Sequence, residues 1–122
     1  MIDHVTLRVS DFEASKRFYA ATLEPLGYGV LYEFPGALGM GRDDKPDFWI
    51  GAGDYRTAGM HLAFAAADRS TVDAFHRAAM GAGGKDNGAP GVRAEYHPNY
   101  YGAFVFDPDG NNIEAVCHVP EK

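Results

Sequence analysis

Two histidines and one glutamate in this sequence could together bind a divalent metal ion: they are His4, His61 and Glu114. Each lies on a short segment in which apolar and polar residues alternate, the period of a half-buried β-strand. The apolar residues take one face, so the metal-binding residue takes the opposite face, away from the core. Imidazole and carboxylate donors suit iron, manganese, zinc or nickel, and three protein ligands leave positions open for substrate. These residues therefore predict a catalytic metal site.

The two histidines are equivalent positions of an internal repeat. An offset of 57 residues aligns DHVTLRVSDFEASKRFYAATLEPLG with MHLAFAAADRSTVDAFHRAAMGAGG without a gap, so that His4 meets His61. Other matched pairs are Asp11 with Asp68, Phe18 with Phe75 and Gly27 with Gly84. The repeat predicts two modules with the same order of elements.

Each module is predicted to run strand, helix and then three strands. The first strand covers 2–9, and a capping box of Ser10 and Glu13 starts a helix that ends at Gly27. In the second module the strand covers 60–66, and the helix starts at Asp68 or Ser70 and ends among Gly81, Gly83 and Gly84. Three strands then follow each helix, at 28–34, 37–42 and 47–52 and at 91–96, 101–106 and 112–118.

Two connections have clear sequence signals. The turn residues Asp107-Pro108-Asp109-Gly110 separate two runs of aromatic and branched residues, which predicts a hairpin. The stretch GGKDNGAPG, residues 83–91, offers little to bury and predicts a mobile connector or a lid.

Composition limits the class of protein. With 122 residues, 46% of them apolar and 23% charged, the chain is expected to be a single domain, 1–122, with modules at roughly 1–55 and 58–120. A net charge of -6 without a basic run argues against nucleic acid. The lone Cys117 excludes an intrachain disulfide and favours a reducing, cytoplasmic setting. No targeting segment or membrane span is predicted.

Three stretches resemble a known family, the vicinal oxygen chelate superfamily, which includes glyoxalase I, extradiol dioxygenases, fosfomycin-resistance transferases and bleomycin-resistance proteins. They are DHVTLRVSDFEASKRFY, GMHLAFAAAD and YYGAFVFDPDGNNIEAV. The resemblance implies an α+β fold in which two βαβββ modules form an incomplete mixed β-barrel with a concave pocket. It also implies one divalent metal ion, on the first strand of each module and the last strand, where His4, His61 and Glu114 stand. A homodimer is expected, with ligands from one chain or from two.

The resemblance implies a metal-dependent glyoxalase-like enzyme acting on a small oxygenated molecule that chelates the metal. Lyase or isomerase chemistry and ring-cleaving dioxygenase chemistry both stay open. Glyoxalase I usually takes a fourth ligand near Ile50, which cannot bind metal, and the basic residues that would hold a phosphonate are missing after Glu114. The alternative function is that of a metal-free drug-binding protein of the bleomycin-resistance type, with which the acidic net charge is compatible.

Further site residues are candidates with a simpler alternative beside each. His97 and Tyr100 could supply acid–base catalysis, with His118 also available; otherwise His97 is a hydrogen-bonded loop residue and Tyr100 a packing residue. Substrate contacts are expected from Thr6, Arg8 and Trp49, although Arg8 could be only an exposed strand charge. His76 is expected to be a partly buried packing residue and Cys117 to point into the core, and neither is expected to take part in the site.

Overall fold

The computed structural model describes residues 1–120, which form eight strands and two α-helices. In chain order these are β1 (Val5–Val9), α1 (Phe12–Leu23), β2 (Gly29–Phe34), β3 (Ala37–Gly41), β4 (Phe48–Ala52), β5 (His61–Ala65), α2 (Arg69–Gly81), β6 (Lys85–Val92), β7 (Tyr101–Phe106) and β8 (Asn112–Cys117). A single 3-10 turn, Glu24–Leu26, extends α1. Neither α-helix is long and apolar enough to cross a membrane.

The strands form two mixed four-stranded sheets with the same topology. The first has the order β1-β4-β3-β2 and the second β5-β8-β7-β6. In each sheet the module's first strand runs parallel to its last, and the other neighbours are antiparallel. The predicted α+β class with two βαβββ modules is therefore confirmed, and the sheets do not close into a barrel.

Both helices begin at an aspartate. The Asp68 carboxylate accepts the backbone N–H of Thr71 at 2.8 Å, and that of Asp11 accepts the N–H of Ala14 at 3.0 Å. The capping box predicted for Ser10 and Glu13 is wrong by one residue. Ser10 instead binds the side chain of Asp109, 99 residues away, because a tertiary partner outcompetes the local cap.

The apolar faces of both sheets and both helices share one core. Leu7 and Ile50 of the first sheet and Ile113 and Ala115 of the second are at most 1% exposed. The rings of Phe48 and Phe64 meet edge to face at 5.5 Å and join the modules. The core placement expected for Cys117 is confirmed, since that residue is 1% exposed. With the apolar residues packed inward, the polar face of each sheet is turned outward.

The predicted hairpin at Asp107–Gly110 is present between β7 and β8. Its carboxyls also reach the first module, because Asp107 accepts a hydrogen bond from the buried Tyr19 hydroxyl. The Asn111 side chain donates to the Thr57 carbonyl at 2.8 Å and accepts the Met60 N–H at 3.0 Å. The turn therefore fastens the two modules and the segment between them.

The loop predicted at 83–91 is wrong, since most of it is the edge strand β6. Its backbone pairs with β7 through a register with two irregularities, one on each side of Gly88. Gly88 has φ of 147°, a conformation that side chains disfavour. A strand at a sheet edge is held by backbone hydrogen bonds more than by apolar side chains. For this reason the composition of residues 83–91 led to the wrong prediction of a loop.

Candidate metal and substrate site

His61 and Glu114 meet on the outward face of the second sheet. Glu114 lies on β8 beside Ala63 of β5, two residues beyond His61 on that strand, and the alternation of the strands puts both side chains on one face. The Nε2 of His61 is 2.8 Å from Oε1 of Glu114. Because a carboxylate only accepts, this nitrogen donates the shared proton. The Glu114 side chain is 1% exposed and that of His61 is 55% exposed, so the pair opens to solvent on the histidine side.

Tyr100 holds the other oxygen of the same carboxyl. Its hydroxyl donates to Oε2 of Glu114. Burial and this bond to Glu114 raise the pKa of Tyr100 well above its usual value of about 10. Tyr100 therefore keeps its proton at neutral pH and acts as a fixed donor to Glu114. The structure brings this predicted catalytic residue into direct contact with a predicted metal ligand.

His97 and His118 form a second pair next to Tyr100. The Asn99 N–H donates to Nδ1 of His97 at 3.0 Å, so the proton of a neutral His97 ring resides on Nε2. That Nε2 donates to Nδ1 of His118 at 2.5 Å. The Tyr100 ring lies edge-on to both imidazoles, at 5.6 and 5.3 Å. In this arrangement His97 has no free nitrogen lone pair, and Tyr100 stands between it and Glu114.

His4 stands apart from this group in the single chain. Its Nδ1 pairs with the carboxyl of Asp3 at 2.7 Å, and Asp3 also binds Lys45 at 3.1 Å. Across residues 1–120, no three His, Cys, Asp or Glu side chains are arranged to hold a metal ion. One chain thus assembles two of the three predicted ligands, and the complete set stays a prediction.

The predicted substrate contacts share the outward face of the first sheet. Thr6 of β1 pairs with Trp49 of β4, and Arg8 lies one row further along, beside Gly51. The sequence offers no fourth metal ligand at Ile50. The structure offers none on β4 either, but for a different reason. Ile50 is in the core, 1% exposed, and the outward positions of β4 are Trp49 and Gly51, which cannot bind metal either.

Two features escaped the sequence analysis, and only the first of them lies on these faces. The Oδ1 of Asn112, the strand neighbour of His61, is buried and has no hydrogen-bond partner in residues 1–120. The other is His76, expected only to pack, which pairs with Asp86 at 2.9 Å on the opposite side of the second module. Alternation along β8 places Asn112 on the same face as Glu114, so the sequence did carry a signal for Asn112. A polar residue at the end of a strand rarely stands out, and the signal was missed.

Two side chains, those of His61 and Glu114, are suited to bind one divalent ion. An imidazole and a carboxylate are donors that a divalent metal ion accepts, and the two lie 2.8 Å apart on one face. Tyr100 holds the second carboxyl oxygen and leaves the first one facing His61. The pair therefore suits a metal as two neighbouring ligands.

The chain has duplicated βαβββ modules and a histidine–carboxyl pair on an outward sheet face. Both features agree with the class of protein that the sequence resembles. A family model described as Glyoxalase/Bleomycin resistance protein/Dioxygenase superfamily matches residues 1–115. The chain belongs to this superfamily. No curated protein matches the chain.

Solved structures agree with this assignment. A glyoxalase/bleomycin resistance protein from Albidiferax ferrireducens T118 is 36% identical, with a TM-score of 0.84 over 94% of this chain and 97% of that one. A glyoxalase/bleomycin resistance protein/dioxygenase family enzyme from Burkholderia phytofirmans PsJN is 20% identical, with a TM-score of 0.74 over 97% and 98%. A lactoylglutathione lyase from Agrobacterium tumefaciens, 17% identical, gives 0.67 over 96% and 92%. The last two show the shared fold alone.

Proposed function

We propose that this chain is a metal-dependent, glyoxalase-like enzyme that acts on a small oxygenated molecule able to chelate the metal. The observation that carries the proposal is the His61–Glu114 pair, a buried carboxyl and an exposed imidazole 2.8 Å apart on an open sheet face. A buried carboxyl is costly unless its oxygens are bound, and here both oxygens have partners. This is an arrangement in which the ligands are oriented before the metal arrives.

His4 is the third ligand of the proposed site, supplied by a second copy of the chain. It precedes β1, at the repeat position equivalent to His61. Since one chain does not bring it to the pair, a homodimer in which the first sheet of one copy faces the second sheet of the other would complete the set. Such a dimer would also enclose a substrate cavity between two outward faces that a single chain leaves open.

Each residue has a distinct role in this proposal. A bound divalent ion supplies Lewis-acid stabilisation for charge that develops on substrate oxygens. His61 and Glu114 would hold that ion, and the Tyr100 hydroxyl donates a hydrogen bond to Glu114 and so fixes the carboxyl. His97 is the candidate for moving a substrate proton, which requires its hydrogen bond to His118 to open, because both of its ring nitrogens are engaged. Iron would favour oxygen insertion, whereas nickel or zinc would favour lyase or isomerase chemistry.

A second candidate is a metal-free binding protein of the bleomycin-resistance type. The observation that favours it is a set of exposed rings on the first sheet, with Tyr32 49% and Phe34 54% exposed. Aromatic rings grip a ligand without any metal. In that case the His61–Glu114 pair would be a structural hydrogen bond only.

Metal content decides between the two candidates. The wild type and the variants His61→Ala and His76→Ala are loaded with Fe²⁺, Mn²⁺, Zn²⁺ or Ni²⁺, desalted and measured by elemental analysis. His76→Ala is the matched control, because His76 also pairs with a carboxyl but on the far side of the module. We expect the wild type and His76→Ala to retain metal and His61→Ala to lose it. Wild-type protein that retains none of these metals, or a His61→Ala variant that retains as much as wild type, would overturn the enzyme proposal.

A further inference from the structure

Two rows of side chains cross the outward face of the first sheet. Strand pairing sets the first row as Thr6, Trp49, Gly39 and Tyr32, and the second as Arg8, Gly51, Ala37 and Phe34. Side chains at paired positions point to the same face, so all eight residues share one surface. The surface therefore presents three aromatic rings and one guanidinium.

Two glycines make room for the largest of these side chains. A Cβ at Gly39 would lie 2.7 Å from atoms of the Trp49 ring, and a Cβ at Gly51 would lie 2.7 Å from an Nη atom of Arg8. Neither glycine has a positive φ, so space rather than backbone conformation requires them. The indole and the guanidinium consequently lie down across the neighbouring strands.

The three rings are nearly parallel. Tyr32 stacks with Trp49 at 6.1 Å between centroids and 11° between planes, and with Phe34 at 6.5 Å and 3°. Parallel rings on an open surface offer their π faces to another flat molecule. Beside them, Arg8 makes no ion pair with any acidic side chain of residues 1–120. The surface is therefore aromatic at one end and cationic at the other.

From this arrangement we infer that the substrate is a planar aromatic molecule carrying an anionic group, whose ring stacks on Trp49 and Tyr32 and whose anion binds Arg8. A guanidinium binds a carboxylate through two parallel hydrogen bonds, which orients the ring. The inference rests on the proposed function for the ligand's role as substrate.

Trp49 is the single tryptophan of the chain, so its fluorescence reports on this surface directly. The probes are benzoate, the neutral planar benzamide and the anionic but non-planar cyclohexanecarboxylate, titrated at neutral pH. We expect saturable quenching by benzoate, with at least about tenfold weaker binding of the other two. Arg8→Met is expected to bind benzoate no better than benzamide. Arg17→Met, the same change on the exposed side of α1, is the matched control and is expected to bind as wild type.

A second variant tests the platform itself. Gly39→Ala places a methyl group where the indole lies, so we expect a shifted Trp49 emission and weaker benzoate binding, with the far-ultraviolet circular dichroism unchanged. Equal binding of benzoate and cyclohexanecarboxylate, or unchanged benzoate binding in Arg8→Met, would overturn the inference. Trp49 emission that depends on protein concentration and ignores benzoate would overturn it too, since a second copy would then cover the face.

The two proposals can fail separately. If His61→Ala loses metal but no protein binds benzoate selectively, the inference fails and the metal enzyme stands. If benzoate binds through Arg8 while the wild type retains no metal, the surface is a ligand site without the proposed chemistry.

Discussion

Glu114 is the residue on which the candidate site depends. It is a carboxyl at 1% exposure with both oxygens bound, one by His61 and one by Tyr100. The alternation of β5 and β8 was sufficient to predict from sequence that His61 and Glu114 share a face. The Tyr100 contact was not predictable, because Tyr100 precedes β7 and no periodicity sets the direction of its side chain.

Replacement of Tyr100 by phenylalanine removes the hydroxyl that holds the second oxygen of Glu114. Partners of this kind orient a ligand, and their loss weakens metal binding by about 10- to 100-fold. We expect that loss for Tyr100→Phe in a metal titration followed by calorimetry. Tyr96→Phe is the control, since Tyr96 contacts the Tyr100 ring at 4.8 Å but is 61% exposed. Equal affinities in the two variants would argue against a role for the Tyr100 hydroxyl.

The turn between β7 and β8 holds the two modules together. Asp107 and Asp109 are each 5% exposed, and their carboxyls bind Tyr19 and Ser10 of the first module. Burial and the neighbouring Asp107 raise the pKa of Tyr19 well above its usual value of about 10. The Tyr19–Asp107 hydrogen bond therefore stabilises the fold only while Tyr19 is protonated.

Tyr19→Phe should destabilise the protein by about 1–3 kcal/mol at neutral pH, because the buried carboxyl of Asp107 loses a partner. Above about pH 10 the unfolded chain releases the tyrosine proton while the folded chain retains it, so stability falls as pH rises. The difference between wild type and variant should therefore narrow above that pH. Urea unfolding at a series of pH values measures it, with the 70% exposed Tyr55 changed to phenylalanine as control. A gap that is constant with pH would contradict this account.

Elements were predictable where side-chain patterning and turn chemistry agreed. The strands 101–106 and 112–118 and their hairpin match β7 and β8 to within a residue. Strand β6 was missed because its residues, KDNGAPGV, carry no apolar alternation and it is held by backbone bonds at the sheet edge. The cap of α1 was predicted at Ser10 but is Asp11 in the structure. The Ser10 side chain binds a partner 99 residues away, which no local pattern reveals.

At the scale of the whole molecule, the residues of the proposed site are divided between the outward faces of the two sheets. The first has His4 near its edge together with Arg8 and Trp49, and the second has His61 and Glu114. Which faces meet depends on how two modules pack, and periodicity within a strand carries no information about that. The sequence could therefore predict the ligand types and their faces but not whether one chain brings them together.

Mixed dimers test the proposed sharing of ligands. Neither His4→Ala nor His61→Ala is expected to bind metal fully by itself. When the two are unfolded together and refolded at equal amounts, half of the dimers are mixed, and each mixed dimer has one intact site of two. About a quarter of the sites should then regain metal, as random pairing of a two-fold dimer requires. Elemental analysis measures the recovery.

The control for the mixing experiment is the double variant His4→Ala/His61→Ala refolded with wild type. Here neither site of a mixed dimer is complete, because one site lacks His4 and the other lacks His61. Only wild-type homodimers then contribute, so about a quarter of all sites should bind metal, whereas about half would bind metal if each chain built its own site. If the mixture of single variants regains no metal while this control does, the ligands do not come from two chains.

The bond between Ser10 and Asp109 sets when this protein can finish folding during its synthesis. The loop that it closes spans 99 residues, so α1 and the start of the first sheet lack their final partner until Asp109 has left the ribosome. Closing so long a loop makes this contact a late one, after the local hairpins and helices have formed. A nascent first module would therefore wait, with the Tyr19 hydroxyl unpaired, for the last turn of the second.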